Sequence, residues 1–233
     1  MSDEAVLDTG VLLGAGVEKD THHHECIEYV VEKSECYVTP TVDQEFRKKE
    51  TEIRSTLSEE IIDHRHAVSR EVDQDVISEG VIDWIESNLL DFEKNSFRCL
   101  RAYYKNKKDE ARFRRIDKLE IISDLEEIES EVWEDAAKSH GGLDELVSKW
   151  ERPIPGYPDI ERELLVCEGD DPVVCIEAHH VATATDGSQT ELATTNPVHF
   201  VRQVGSEEET RKENILRLTD LDDVIDLSWD GSF

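Results

Sequence analysis

The sequence predicts an α/β fold, a parallel sheet whose two halves are separated in the chain by a long all-helical insertion. Three observations carry that prediction. Short apolar strands at residues 5–7, 36–39 and 191–195 each give way to a helical segment, the alternation that builds parallel sheets. Between residues 41 and 152 there is no proline, and Gly80, Gly141 and Gly142 are the only glycines. The apolar residues of that stretch recur at helical spacing instead of alternating. The expected organisation is an α/β domain made of residues 1–50 and 153–233, with the insertion at 51–152.

The chain of 233 residues can bury a substantial core. Its charge is the unusual quantity: 56 Asp and Glu against 26 Lys and Arg, a net −30. Spread through the chain, that surplus suits a protein kept soluble in concentrated salt, where self-repulsion is screened, and points to a halophilic cytoplasm. A disordered acidic protein is the rival, but 37% hydrophobic residues in periodic segments argue against it. Cys26, Cys36, Cys99, Cys167 and Cys175 form no Cys-x-x-Cys pair and read as reduced cytosolic thiols. No basic-then-apolar leader and no apolar run of membrane-spanning length is present, so neither secretion nor a membrane partner is expected.

The opening strand ends at Asp8, and Val11, Leu12 and Leu13 begin a helix packed on it. A carboxylate at a strand's carboxyl end stands where open α/β sheets build their sites, although such an Asp is more often a helix cap. Thr21 can cap the next helix, which extends to about Lys33 and starts with His22, His23 and His24. Three adjacent histidines point to different sides of a helix and cannot share one ion. Pro40 closes the second strand, Thr41 is a candidate cap, and Glu45 falls one turn into the following helix, where the helix dipole alone would favour an acid.

The insertion carries three apolar stripes, Ile53 to Val76, Trp84 to Phe92, and Ile116, Leu119, Ile122, Leu125, Ile128 and Val132. It also holds the one basic island of the chain, residues 94–118, where Arg98, Arg101, Lys105, Lys108, Arg112 and Arg115 are interleaved with Phe97, Tyr103, Tyr104 and Phe113. Cations that meet phosphates beside rings that stack on bases are the footprint of a nucleic-acid surface. Neutralisation of neighbouring acidic helices, with the aromatics in the core, explains the same residues equally well.

Three prolines and a glycine in residues 151–159 mark a linker. A short helix at 160–168 precedes a second, DPVVCIEAHHVATA, which Asp171 begins and could simply cap. Residues 186–189 form a turn, Asn196 and Pro197 stop the strand at 191–195, and a last strand at 215–218 precedes a terminal helix at 219–227.

Asp8, Glu45, Asp171 and Asn196 thus all lie at junctions that parallel strands bring to one edge of a sheet. Clustered carboxylates repel, and Mg2+ or Mn2+, which prefer oxygen ligands, would relieve that repulsion. Beside phosphate-binding groups such an ion supports phosphodiester hydrolysis.

VLDTGVLL, TVDQEF, DPVVCIEAHHVA and LATTNPVHF, in this order, resemble the four motifs of the PIN-domain nucleases, a family that includes the VapC-like toxins of VapBC pairs. The resemblance covers roughly residues 5–50 and 160–228. It implies a three-layer α/β/α fold whose acidic pocket binds Mg2+ or Mn2+ and cleaves single-stranded RNA. Carried over by motif, Asp8, Glu45 and Asp171 would be the metal ligands, with Asp170 as the alternative to Asp171. Asn196 would be the fourth catalytic position, where many members have Asp. Thr9 could hydrogen-bond a phosphate or a ligand carboxylate, and Thr194 would meet substrate. The insertion has no counterpart in the family; by its own composition the island would add Arg98, Arg101, Tyr104, Lys105, Lys108, Arg112 and Arg115 as RNA contacts. An antitoxin or other protein partner and a homodimer are compatible with the family. A PIN-like scaffold without catalysis, binding RNA or a protein through the insertion, is the alternative function.

Overall fold

The computed structural model describes residues 4–17, 19–133, 142–165, 169, 171–185, 189–203 and 209–228. In chain order the elements begin with β1 (Glu4–Leu7), α1 (Thr9–Gly16), α2 (His23–Glu32), β2 (Glu35–Val38) and the long α3 (Pro40–Glu71). β3 (Val76–Ile77), α4 (Glu79–Leu89), α5 (Phe97–Ala111), β4 (Ile116–Asp117) and α6 (Lys118–Glu131) follow. The chain continues with α7 (Leu143–Leu146), β5 (Ser148–Lys149), α8 (Pro158–Glu163), α9 (Asp171–Ala184), β6 (Thr190–Thr194), α10 (Pro197–Phe200), α11 (Arg211–Leu218) and β7 (Asp223–Asp226).

Two units share these elements. One comprises Met1–Gly16, His22–Lys49 and Ala136–Phe233, the other Val17–Thr21 and Glu50–Asp135.

The first unit is an α/β unit built on a five-stranded sheet in the order β5-β2-β1-β6-β7, with every pairing parallel. β1 after Glu4 and the middle of β6 are apolar on successive residues because both faces of the sheet are covered. Ala5, Val6, Leu7, Leu192 and Ala193 are all fully buried. Each such side chain contributes roughly 1.5–3 kcal/mol when it is as large as valine or leucine. Glu191, buried within β6, is stabilised there by Lys33 Nζ at 2.5 Å and by the Tyr29 hydroxyl.

The last two elements are the reverse of the expected strand-then-helix. Thr210 and Glu213 form a reciprocal capping box that makes residues 211–218 helical, and Val224 then pairs beside Leu192 in β7. The return boundary also falls before residue 152, because Ser148 and Lys149 pair with Tyr37 and Val38. Thr21 and Thr41 are not caps. The Thr21 hydroxyl donates to the Asn95 carbonyl, and Thr41 lies inside the first turn of α3. The helix expected at 160–168 is α8, from Pro158 to Glu163. Cys167, Asp170 and most of the turn at 186–189 lie outside the described residues.

The second unit packs Leu57, Ile61, Val68 and Val72 of α3 against Ile82 and Ile85, Leu100 and Tyr104, and Ile121 and Leu125. It is not all-helical: β3 and β4 pair antiparallel, with Ile77 opposite Ile116. In α6 the buried position belongs to Ile121 instead of Ile122, while Leu119, Trp84 and Phe92 of the expected stripes are exposed.

Candidate functional site

The strand order of the first unit changes direction between β1 and β6. From β1 the chain builds outward to β2 and β5, then returns to place β6 and β7 on the other side. At such a switch point neighbouring connections leave in opposite directions and open a crevice at the strands' carboxyl ends. Asp8 directly follows β1, and Thr194 and Asn196 lie at the end of β6, so these residues flank that point.

The junction is tightly tied. The Asp8 amide donates to the Ala193 carbonyl at 2.9 Å, continuing the ladder one residue beyond β1. Asp8 Oδ1 accepts from the Thr9 amide at 2.7 Å, and Oδ2 accepts from the Thr194 hydroxyl at 2.9 Å. Thr194 Oγ1 in turn accepts from the Asn196 amide at 2.9 Å. A methyl group at Gly10 would sit 2.1 Å from Thr195 Oγ1, so this close approach needs glycine or a displaced Thr195.

Glu45 arrives from α3. Its Oε2 accepts from the Thr9 hydroxyl at 2.6 Å, and its Oε1 lies 2.5 Å from Lys49 Nζ, one turn further along the helix. The start of α3 is held by α9: buried Glu177 accepts from the Thr41 amide at 3.2 Å and from its hydroxyl at 2.8 Å. Asp171, at the other end of this link, heads α9, and its Oδ2 lies 2.6 Å from His199 Nδ1. Asn196 spends its side-chain oxygen as the cap of α10, accepting from the His199 amide at 3.4 Å.

The electrostatics centre on Asp8, which is 7% exposed. Burial pushes its carboxyl up to about 6. The hydrogen bonds from Thr194 and Thr9 oppose the rise, and the charges of Asp171 and Glu45 add to it. At Glu45 burial works the same way, but the hydrogen bonds from Lys49 and Thr9 win and hold its carboxyl below the ordinary range. Lys49 is raised, first by its hydrogen bond to Glu45, against desolvation, and then by the charges of Glu45, Asp8 and Asp171.

Among the described residues no group of three or more His, Cys, Asp or Glu side chains stands arranged to hold a metal ion. The donor chemistry nevertheless fits a hard divalent cation. Asp8 is a buried carboxylate whose two donors are neutral, and it feels two further carboxylates from two other elements. A cation there would offset the cost of burying the Asp8 charge beside two other carboxylates. Asp8, Glu45 and Asp171 are the residues that would hold it.

Lys49, Glu177 and His199 complete the arrangement and were not singled out from the sequence. Lys49 stands four residues after Glu45, and Glu177 is a charged residue at a buried position of an otherwise apolar helix face, which are the signals that could have found them.

The basic island of the second unit is largely neutralised from within. Lys107 lies 2.9 Å from Glu120 and 2.8 Å from Asp124, Lys108 pairs with Asp83, and Arg114 pairs with Glu110 and Glu120. Arg112 meets Glu79 and Asp109, and Arg115 meets Asp117. Two expected RNA contacts are corrected. Tyr104 is 0% exposed, its hydroxyl 2.9 Å from His64 Nε2, so no ring face is offered to a base. Arg98 is buried and donates to the Thr21 carbonyl at 2.6 Å. His64 Nδ1 faces the Leu89 carbonyl, an acceptor only, so Nδ1 carries the hydrogen and Nε2 accepts from Tyr104. Burial holds that imidazole down to about 4, in its neutral form. Arg101, Lys105, Arg112 and Arg115 are exposed, with Arg101 over the Phe97 ring.

No helix among the described residues is long and apolar enough to cross a membrane. Compared with protein-family models, with curated proteins and with solved structures, the chain matches none of them.

Proposed function

We propose that this chain is a PIN-type, metal-dependent endoribonuclease of the three-layer α/β/α kind, acting on single-stranded RNA in a high-salt cytoplasm. One observation carries the reading: carboxylates from α3 and from α9 act electrostatically on buried Asp8 at the end of β1, at the switch point of a parallel sheet. The order of the four motifs along the chain supports the same reading.

In this mechanism Asp8, Glu45 and Asp171 would hold Mg2+ or Mn2+. The bound ion supplies polarisation of the phosphoryl oxygen and a lowered pKa for the attacking water. The protein's own work is positioning. Thr194 and the Thr9 amide fix both oxygens of Asp8, the Thr9 hydroxyl fixes Glu45, and His199 fixes Asp171. Arg101, Lys105, Arg112 and Arg115 provide exposed cations for RNA phosphates.

The test is cleavage of a mixed single-stranded RNA pool in high salt with Mn2+, by the parent and by Asp8→Asn purified alongside. Cleavage by the parent alone supports the proposal. Equal cleavage by both, or none by either, overturns it.

A second reading is favoured by the exposed apolar side chains beside β4, Phe113 at 88% and Leu119 at 77%. In this reading the chain is a PIN-like scaffold whose helical unit binds a protein partner or RNA. Such a binder keeps its RNA affinity in EDTA and shows no cleavage with metal. A small neighbouring gene encoding a DNA-binding protein would favour the toxin form of the first reading, with that protein as antitoxin.

A further inference from the structure

The carboxylate that completes the acidic centre from α3 is already occupied. Glu45 Oε1 lies 2.5 Å from Lys49 Nζ, and the Lys49 side chain is 50% exposed against 27% for Glu45. We propose that Lys49 is the displaceable counter-ion of this centre: its ammonium holds Glu45 until a divalent cation takes that carboxylate over. The proposal rests on the metal-site reading of Asp8, Glu45 and Asp171.

Three features separate this lysine from an ordinary pair on a helix surface. Its charge interacts with Asp8 and Asp171 as well as with Glu45, so it is a cation common to the whole acidic set. The pair Arg47–Asp43, at the same four-residue spacing on α3, shares its acid with Lys149, and the charge of Arg47 acts on Asp43 and Asp144, which do not belong to this set. Second, the competition is for one group, since Glu45 Oε2 is committed to Thr9 and Oε1 to Lys49. A divalent ion that takes that oxygen therefore competes with the ammonium for its charge and lone pairs. Third, the exchange is mechanically simple. Lysine is a compact charge on a flexible stem, and a half-exposed one can move into water without disturbing the helix.

The relation also accounts for how the carboxylates stand: Glu45 is drawn to Lys49 and Asp171 to His199, each toward a basic partner outside the set. Displacement of Lys49 leaves an ammonium at the rim of the centre, the kind of group that meets a phosphate oxygen.

The test is Mn2+ binding by calorimetry, checked by the electron paramagnetic resonance of free Mn2+, with no RNA present. Lys49→Gln is compared with the parent and with Lys48→Gln. Lys48 is the neighbouring lysine: its charge also acts on Glu45, but no hydrogen bond joins the two, so its removal changes net charge equally and spares the contact. Lys49→Gln is expected to bind Mn2+ roughly three- to fivefold more tightly than the parent, the upper part of the scale set by one partly exposed ion pair. Lys48→Gln is expected to stay within about twofold of the parent, because an exposed charge that makes no direct contact is screened by solvent. Circular dichroism of each variant confirms that the fold is kept. Equal Mn2+ affinity for the parent and Lys49→Gln, or an equal gain in the two variants, overturns the proposal and leaves the metal site standing. Absence of Mn2+ binding in all three overturns the metal site and the proposal together.

Discussion

The Thr9 hydroxyl donates to Glu45 Oε2 at 2.6 Å, across 36 residues of chain, while the Thr9 amide donates to Asp8 Oδ1 at 2.7 Å. One buried residue therefore orients two carboxylates that repel each other. Backbone geometry serves one of them and the side chain serves the other.

Thr9→Val keeps the amide contact and the shape but removes the hydroxyl. The lost bond goes to a charged, partly exposed acceptor that water can reach, so a destabilisation of about 1 kcal/mol is expected. In thermal unfolding this is a drop of roughly 2–4 °C for a chain of this size. Under the nuclease reading RNA cleavage falls by about an order of magnitude in Thr9→Val and is largely kept in Thr9→Ser.

Asp8 gives a pH signature. Its folded-state carboxyl is raised from 3.8 to about 6, mainly by burial, so its ionisation opposes folding. The favourable contribution of the protonated form is complete below pH ~3.8 and is lost as pH rises through about 6. Asp8→Asn should therefore be more stable than the parent at pH 7, by about 1–2 kcal/mol after allowance for an imperfect amide fit. That advantage should vanish near pH 4, as denaturant titrations at both pH values would show. Mn2+ should raise the unfolding temperature of the parent and leave Asp8→Asn unmoved; an equal rise in both would place the ion elsewhere.

Tyr104 and the exposed cations of α5 should separate cleanly. Tyr104→Phe removes a buried hydroxyl and strands His64 Nε2, at a cost of about 1–2 kcal/mol in unfolding experiments, with RNA affinity unchanged. The double variant Arg101→Gln, Lys105→Gln should leave stability within about 0.5 kcal/mol. If these two cations meet RNA phosphates, the slope of log affinity against log salt falls by about 0.7 for each. An unchanged slope would assign the island to internal neutralisation.

Glu191 is a buried charge within the sheet, paired with Lys33. Glu191→Ala leaves Lys33 without its carboxylate in a mostly buried setting and should cost about 3–5 kcal/mol. Replacing both, Glu191→Leu with Lys33→Met, should recover at least half of that loss in denaturant unfolding, because the expensive part is a mostly buried ammonium that has lost its carboxylate.

How much of this was legible beforehand depended on whether the signal was local. The β1, β2 and β6 strands and the helices after Asp8 and Asp171 were readable, since apolar runs, prolines and caps act within a few residues. The last two elements were misread because Ile215 to Leu218 is too short an apolar run to distinguish strand from helix. The deciding signal lay upstream, in the capping pair Thr210 and Glu213, and in the need of β6 for an edge partner.

By itself the sequence determined the α/β class, the helical character of the middle of the chain and the placing of Asp8, Glu45, Asp171 and Asn196 at element junctions. Hydrophobic periodicity and turn chemistry record those things directly along the chain. Only the tertiary structure decided where the charges went. It turned Tyr104 and Arg98 inward, matched Lys108 to Asp83 and Lys107 to Asp124, and gave Glu45 both Thr9 and Lys49. A charge's partner is set by distance through space and by local burial, and with 56 acids available no local pattern names the one that will be reached.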